Sequence, residues 1–373
     1  MTVPPTWDVA VVGAGPAGAS AARAAAARGA RVLLLERADV PRYKRCGGGL
    51  IGPSQQALAA AGVDVPALSR DHVGRVSFTL RGRHGFTRTS GSFLPMVLRS
   101  ELDATLVQAA RDAGADLRSR TTVTSYAESG GVVTLGTSGG EVRARVVVGA
   151  DGSSSRAAAY VGVVCDQVDL GLEAELPAPP GSDWEGHVLL DWGPVPGSYG
   201  WVFPKGGTLT VGVIGDRARG EGLRAYYRDL LGRLGLDRTT ATHDGGHLTR
   251  VRAPGSALRR GQVLVAGDAG GLLEPWTREG ISFALRSGRL AGTAAVTNVT
   301  SYEGAVEREL AAEVAAGRRA LAAFTRHPGA VHAVMRVVPA MWPLFVRLVE
   351  GRTTMAEQLE RRSVRALVGT LGG

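Results

Sequence analysis

A glycine turn set between two short apolar runs constrains this chain more than any other feature. Asp8-Val9-Ala10-Val11-Val12 runs straight into Gly13-Ala14-Gly15-Pro16-Ala17-Gly18. An alanine-rich stretch then reaches Arg28 and Gly29, and Arg31-Val32-Leu33-Leu34-Leu35 ends in Glu36. Short continuous apolar runs mark strands buried on both faces of a parallel sheet, and alanine favours helix, so the spacing predicts strand, helix, strand. In that setting each glycine has a task. Gly13 makes the tight turn, Gly15 lets the main chain approach a pyrophosphate at a helix N-terminus, and Gly18 lets helix and strand pack closely. Glu36 ends the second strand, where a carboxylate accepts both hydroxyls of an adenosine ribose. The unit is expected to hold a dinucleotide.

A second constellation lies far downstream. Gly267-Asp268-Ala269-Gly270-Gly271 follows the apolar run at residues 262–266, and Pro275 and Glu279-Gly280-Ile281 precede a helical stretch to Asn298. Asp268, directly after a buried strand, suits a ribityl hydroxyl. A helix starting at Gly280 and Ile281 would aim its positive end at a flavin pyrimidine. No second glycine motif offers a nicotinamide domain, so the expected cofactor is FAD.

Between these ends the pattern changes. Residues 99–113 read as an amphipathic helix, and residues 121–126, 132–136 and 142–148 as strands. Residues 170–176, 187–191, 199–203 and 208–214 read as longer strands with Gly/Pro turns, an antiparallel sheet. The expected fold class is α/β: a Rossmann-like FAD-binding domain (1–70, 97–165, 255–300), an inserted antiparallel-sheet substrate domain (71–96, 166–254) and a helical C-terminal region (301–373). Pro339 and Pro343 are expected to kink the tail. His243 and His247 bracket Asp244-Gly245-Gly246; two glycines argue against a helical metal pair, and a surface loop is expected. No metal site is expected.

The 373 residues carry a net charge of +9, and Lys44 and Lys205 are the only lysines. The arginines are scattered, which speaks against a nucleic-acid partner. The excess fits either base composition or attraction to an anionic partner. Cys46 and Cys165 exclude a disulfide framework and fit a reducing cytoplasm. No signal peptide or spanning helix is expected. In the tail Val334, Val338, Met341, Phe345 and Leu348 recur at helical spacing, followed by Arg347, Arg352, Arg361, Arg362 and Arg365. Two readings stand: a helix covering the core, or a lid or peripheral membrane contact for a lipid substrate.

Three further segments carry a family resemblance. Gly149-Ala150-Asp151-Gly152-Ser153 is similar to the Asp-Gly fingerprint of the flavoprotein hydroxylases (the para-hydroxybenzoate hydroxylase-like superfamily), which sits near the pyrophosphate. Pro41-Arg42-Tyr43-Lys44-Arg45-Cys46-Gly47-Gly48-Gly49-Leu50 resembles the Pro-x-x-Lys-x-Cys-Gly-Gly loop of the geranylgeranyl reductase family. Tyr199-Gly200-Trp201-Val202-Phe203-Pro204 resembles that family's Tyr-x-Trp-x-Phe-Pro strand. The resemblance implies flavin contacts at Ala17, Glu36, Cys46, Gly47, Gly49, Arg99, Asp268, Gly280 and Ile281, with the Val123 backbone at the adenine. It implies a reductase that hydrogenates double bonds of a prenyl chain, an isoprenoid substrate, and NAD(P)H or another donor of electrons. Cys46 is a candidate to deliver a proton or orient the alkene, or it only packs. Tyr199, Trp201 and Phe203 alternate onto one face and are expected to line the pocket. Where the family usually has Thr-Gly-Glu-Gly-Ile, this chain has Thr277-Arg278-Glu279-Gly280-Ile281. The Arg278 guanidinium is expected either beside the ring or in solvent. The rival reading is an FAD monooxygenase or halogenase of secondary metabolism. A halogenase, however, should offer Trp where Tyr199 stands, and a pocket lysine, for which Lys44 is a poor substitute.

Overall fold

The computed structural model describes residues 6–360. Arg361, Arg362 and Arg365 of the tail lie outside them. Two sheets organise the chain. In the first, the parallel core runs in the order Val263–Val265, Gly140–Gly149, Thr6–Val12, Val32–Leu35, Ala115–Arg118. Val9, Val11, Leu34 and Val148 are fully buried, as expected of strands covered on both faces. Val132–Thr137 and Val123–Ser129 add an antiparallel extension.

The helix Pro16–Ala26 buries its alanines, and this smallness matters. Helix Ile281–Val296 brings Gly288 onto the Ala17 carbonyl and Gly292 onto the Ala21 carbonyl; a methyl at either glycine would strike main chain. The two distant glycine-rich segments therefore share one helix–helix contact.

The second sheet has seven strands in the order His243–Arg252, Cys165–Pro177, Thr208–Asp216, Tyr199–Pro204, His187–Trp192, Ser69–Leu80, Arg83–Val97. It is antiparallel except where His187–Trp192 pairs parallel with Ser69–Leu80, two strands from separate passages of the chain. Alternation gives it two unlike faces. Ala174, Leu176, Val211 and Val213 point to one side and are covered by the helix Gly220–Arg233 through Leu223, Tyr226 and Leu230. Glu173, Glu175, Thr210 and Trp201 point to the other.

Two expectations are corrected. Residues 243–247 are not a surface loop but part of the edge strand His243–Arg252, paired along Cys165–Pro177. Arg45 lies over Gly245, its Nη2 2.6 Å from where a methyl would be. Pro343 does not kink the tail. It stands in the first turn of helix Met341–Val349, where no N–H is required. Pro339 does lie in the break before that helix, which meets Pro328–Val337 at 103°.

The tail covers core. Tyr302 opens helix Tyr302–Arg326, is fully buried and donates to the Val265 carbonyl at 2.7 Å. Phe345 and Trp342 sit edge-on to Phe78 and Phe93, at centroid distances of 5.6 and 5.7 Å. Val337 and Val338 are exposed at the bend. No single helix among the described residues is long and apolar enough to cross a membrane; only the bent pair passes together, by length and composition.

Candidate active site

The first glycine turn is built as its sequence requires. Gly13 has φ +98°, and a methyl there would collide with the Ala150 carbonyl, so the Asp151 segment lies directly against the turn. A methyl on Gly18 would strike the Gly13 carbonyl. Gly15 has an open flank, with Arg42 Nη2 3.7 Å from where its Cβ would be. The N-terminus of helix Pro16–Ala26 has no side-chain cap. Orphan N–H groups and a guanidinium thus meet at one spot, which fits a diphosphate. Glu36 is buried beside it. Its Oε2 accepts the Ala14 N–H at 2.8 Å and its Oε1 the Ala38 N–H at 3.1 Å, which fixes a carboxylate with lone pairs to spare. Thr121 N–H donates to the Glu36 carbonyl at 2.8 Å, so the segment leading to Val123 runs alongside.

Arg42 is a site residue that the motifs did not single out. It bridges Glu36 Oε2 (3.4 Å) and Asp103 Oδ2 (3.3 Å), and Arg99 grips the same Asp103 with two bonds of 2.8 and 3.0 Å. Two part-buried cations thus share one buried carboxylate beside the glycine turn. Asp103 and the Cys46 sulfur hold Arg99 firmly in its charged form against the burial that opposes it.

Asp151 is spent locally. Its oxygens accept Ser155 Oγ and the Arg156 N–H, capping the helix Arg156–Val161. The segment's proximity to the turn therefore comes from its backbone, not its carboxylate.

The second constellation reaches the first through Gly267 (φ +57°), where a methyl would lie 2.8 Å from Ala17 Cβ. Asp268 Oδ1 faces Gly280, 3.5 Å from where a methyl would be, and Gly280 caps the helix that Ile281 opens. Glu279 closes that helix end by accepting Ser282 N–H (2.8 Å) and Ser282 Oγ (2.6 Å). Burial pushes its carboxyl pKa up.

The Cys46 loop and the Thr277 loop are both fastened at the aromatic strand Tyr199–Pro204. At one end Lys205 Nζ donates to the Cys46 carbonyl at 2.7 Å and pairs with Glu175 Oε1 at 3.3 Å. Gly47 lies against the Phe203 ring, where a methyl would sit 2.5 Å from Cδ2. Gly48 accepts the Val97 N–H on its carbonyl at 2.9 Å, and Gly49 bridges Met96. Cys46 Sγ accepts the Gly48 N–H at 3.4 Å. At the other end Tyr199 OH donates to the Thr277 carbonyl. Its proton is committed there, and burial raises its pKa. Tyr199, Trp201 and Phe203 do share a face, with centroids 5.9 and 6.2 Å apart.

Arg278 does not point into solvent. It is 4% exposed and bonds Asp169 through Nε (3.1 Å) and Nη2 (3.2 Å), with Nη1 on the Trp276 carbonyl at 2.6 Å. The structure therefore joins Cys46, Tyr199 and Trp201 around one sheet face. Lys205, Glu175 and Asp169 belong to it as well. Their sequence signal was the period-two run Asp169, Gly171, Glu173, Glu175, whose polar members all fall on one face.

Comparisons with known proteins agree with this geometry. Residues 6–175 match a family described as an FAD binding domain. A geranylgeranyl diphosphate reductase of Rhodobacter capsulatus is 30% identical over 348 residues, covering 89% of this chain and 83% of its own. The solved structure of a geranylgeranyl bacteriochlorophyll reductase-like protein from Thermoplasma acidophilum superposes with TM-score 0.75 at 19% identity, covering 98% of this chain and 99% of that one. A flavin-dependent brominase superposes with TM-score 0.74 at 18% identity, covering 98% of each. At such identities the two structures speak for the fold. The sequence relationship speaks for more: the chain belongs to the geranylgeranyl reductase-like family of FAD-dependent oxidoreductases.

Proposed function

We propose that this protein hydrogenates carbon–carbon double bonds of a prenyl chain, using electrons from NAD(P)H or another donor. The relative named for geranylgeranyl diphosphate supports the substrate class. The observation that carries the reading is the aromatic strand gripped at both ends, by Lys205 on the Cys46 carbonyl and by Tyr199 on the Thr277 carbonyl. When bound, the flavin supplies the hydride. The protein's part is positioning. Glu36, Arg42 and the uncapped helix hold the ribose and diphosphate end. The Trp201 and Phe203 rings, on one face of the strand, would line the wall for an apolar chain and exclude water. An isolated alkene is a poor hydride acceptor, so reaction needs a near-attack placement and an acid beside the second carbon.

The halogenase reading needs a free lysine in the pocket. Lys205 is a buried lysine near the strand, but its ammonium is bonded to Cys46 and Glu175. The deciding experiment is anaerobic. Chemically reduced holoenzyme is mixed with geranylgeranyl diphosphate and other prenyl substrates, and products are weighed by mass spectrometry. Gain of two hydrogens is expected. A product that forms only with oxygen, and carries added oxygen or halogen, overturns the reading.

A further inference from the structure

The polar face of the second sheet is arranged in rows by its register. Tyr199 lies across from Ile214, Gly171 and His247. Phe203 lies across from Thr210, Glu175 and His243. The middle row is Trp201, Gly212, Glu173, Gly245. The Thr277 loop is anchored in the Tyr199 row and the Cys46 loop in the Phe203 row, so Glu173 and Trp201 lie between the two anchors. Gly212 lets them converge: a methyl there would lie 2.9 Å from Glu173 Cβ and would collide with the Trp201 ring.

The acids on this face are otherwise engaged. Asp169 is paired with Arg278, Glu175 with Lys205, and the Tyr199 hydroxyl with Thr277. Glu173 is 1% exposed, and neither of its carboxyl oxygens has a partner among the described residues. Trp201 Nε1 beside it is also buried and unpartnered. Buried polar atoms left open in this way imply a missing ligand group or water.

We propose that Glu173 is the general acid of the reductase reaction, on which reading this assignment rests. The carboxyl O–H bond breaks as a C–H bond forms at one alkene carbon, while the other carbon takes hydride from reduced flavin. The alkene gains two electrons and two hydrogens, the flavin is oxidised, and the carboxylate left on Glu173 is reprotonated from solvent before the next turnover. The surroundings favour the protonated acid. Burial dominates and Glu175 adds to it, against Lys205 on the same face and Lys44 and Arg45 on the loop above. Tyr43, Tyr227 and His247 are the remaining titratable neighbours. Cys46, by contrast, is tied to Lys205 by its carbonyl and to the Gly48 N–H by its sulfur.

The test uses FAD-loaded wild type, Glu173→Gln and Glu173→Asp. Infrared difference spectra of wild type minus Glu173→Gln at pH 7 should show a protonated-carboxyl band that shifts in deuterated water. A carboxylate band in its place overturns the assignment. Chemical reduction of the flavin should proceed equally in all three proteins. Anaerobic reoxidation by geranylgeranyl diphosphate should slow by roughly 10²-fold or more in Glu173→Gln, with partial recovery in Glu173→Asp. The wild-type reoxidation rate should fall as pH rises through the Glu173 titration, and the Glu173→Gln rate should stay flat. A wild type that turns over beside an equally fast Glu173→Gln overturns this assignment alone. A wild type that reoxidises with no prenyl substrate overturns the reductase reading and this assignment with it.

Discussion

Arg278 sits at φ +58° while its guanidinium makes a bidentate, fully buried ion pair with Asp169. The left-handed conformation is one that glycine adopts freely and an arginine does not, at about 1–2 kcal/mol. The ion pair offsets that strain and pins the Thr277–Gly280 turn to the strand Cys165–Pro177. Arg278→Gly should relax the backbone yet orphan Asp169, and breaking a buried pair costs about 3–5 kcal/mol. The expected net loss is about 2 kcal/mol, read as a lower unfolding temperature at saturating FAD. Asp169→Asn added to Arg278→Gly should restore much of it. A more stable Arg278→Gly single variant would show that the pair contributes little.

His247 predicts an acid-side loss of stability. It is held well below the ordinary histidine range, at about 4, by burial first and then by Lys44 and Arg45. The folded protein keeps the ring neutral while the unfolded chain protonates near pH ~6.5. Its contribution is therefore whole above pH ~6.5 and is lost as pH falls toward 4, by on the order of 3 kcal/mol. Glu173, Glu274 and Glu279, raised by burial, act in the opposite sense, so the comparison must be with His247→Gln at each pH. Unfolding curves should show the wild type losing its advantage over that range. Parallel curves would mean that the ring is solvated and protonates normally.

Arg42 and Glu36 act on opposite ends of one cofactor segment. Arg42→Ala removes a cation next to the open flank of Gly15, and charged hydrogen bonds contribute about 1.5–3 kcal/mol. FAD affinity should fall by roughly 10- to 100-fold, and the salt dependence of binding should weaken with it. Glu36→Ala should also weaken FAD binding, because Ala14 N–H and Ala38 N–H lose their shared acceptor and the ribose loses its own. Fluorescence titration at two ionic strengths separates the two: the Glu36 variant should keep the wild-type salt slope. FAD affinity unchanged in both variants would remove this turn from the cofactor site.

The sequence made the backbone part of this site legible, because glycine motifs are read by main-chain geometry. Gly13 and Gly18 do in the structure what their spacing required. Side-chain pairings were less accessible. Arg42, Arg99 and Asp103 meet from a loop and a helix some 60 residues apart in sequence, and no local pattern joins them. Arg278 could be seen as a departure, but its partner Asp169 lies more than 100 residues upstream, on a strand of the second sheet. The strand at residues 243–252 was hidden because Gly245 and Gly246 weaken strand propensity, and the neighbour that lies over Gly245, Arg45, is tertiary. Glu173 was concealed by its neighbours: Leu170, Leu172 and Ala174 define the packed face, and only the register shows that the acid lies across from Gly212 and Trp201.

Cys46 supplies the last prediction, by contrast with Glu173. Its carbonyl is held by Lys205, its sulfur receives the Gly48 N–H, and Arg99 lies against it. These contacts position the loop whether or not the sulfur carries a proton. Cys46→Ala should retain FAD and accept electrons at the parent rate, because Arg99 keeps both of its bonds to Asp103. Its reoxidation by a prenyl substrate should stay within about tenfold of wild type, since a positioning loss is smaller than the ~10²–10⁴ of a lost general acid. Lys205→Met should do more harm than Cys46→Ala. It frees the Cys46 carbonyl and leaves Glu175 as a buried carboxylate without its ammonium, so KM should rise and the loop at residues 40–51 should become open to proteolysis. A Cys46→Ala variant slowed by 10²-fold or more, with FAD and its reduction intact, would move the proton from Glu173 to the thiol.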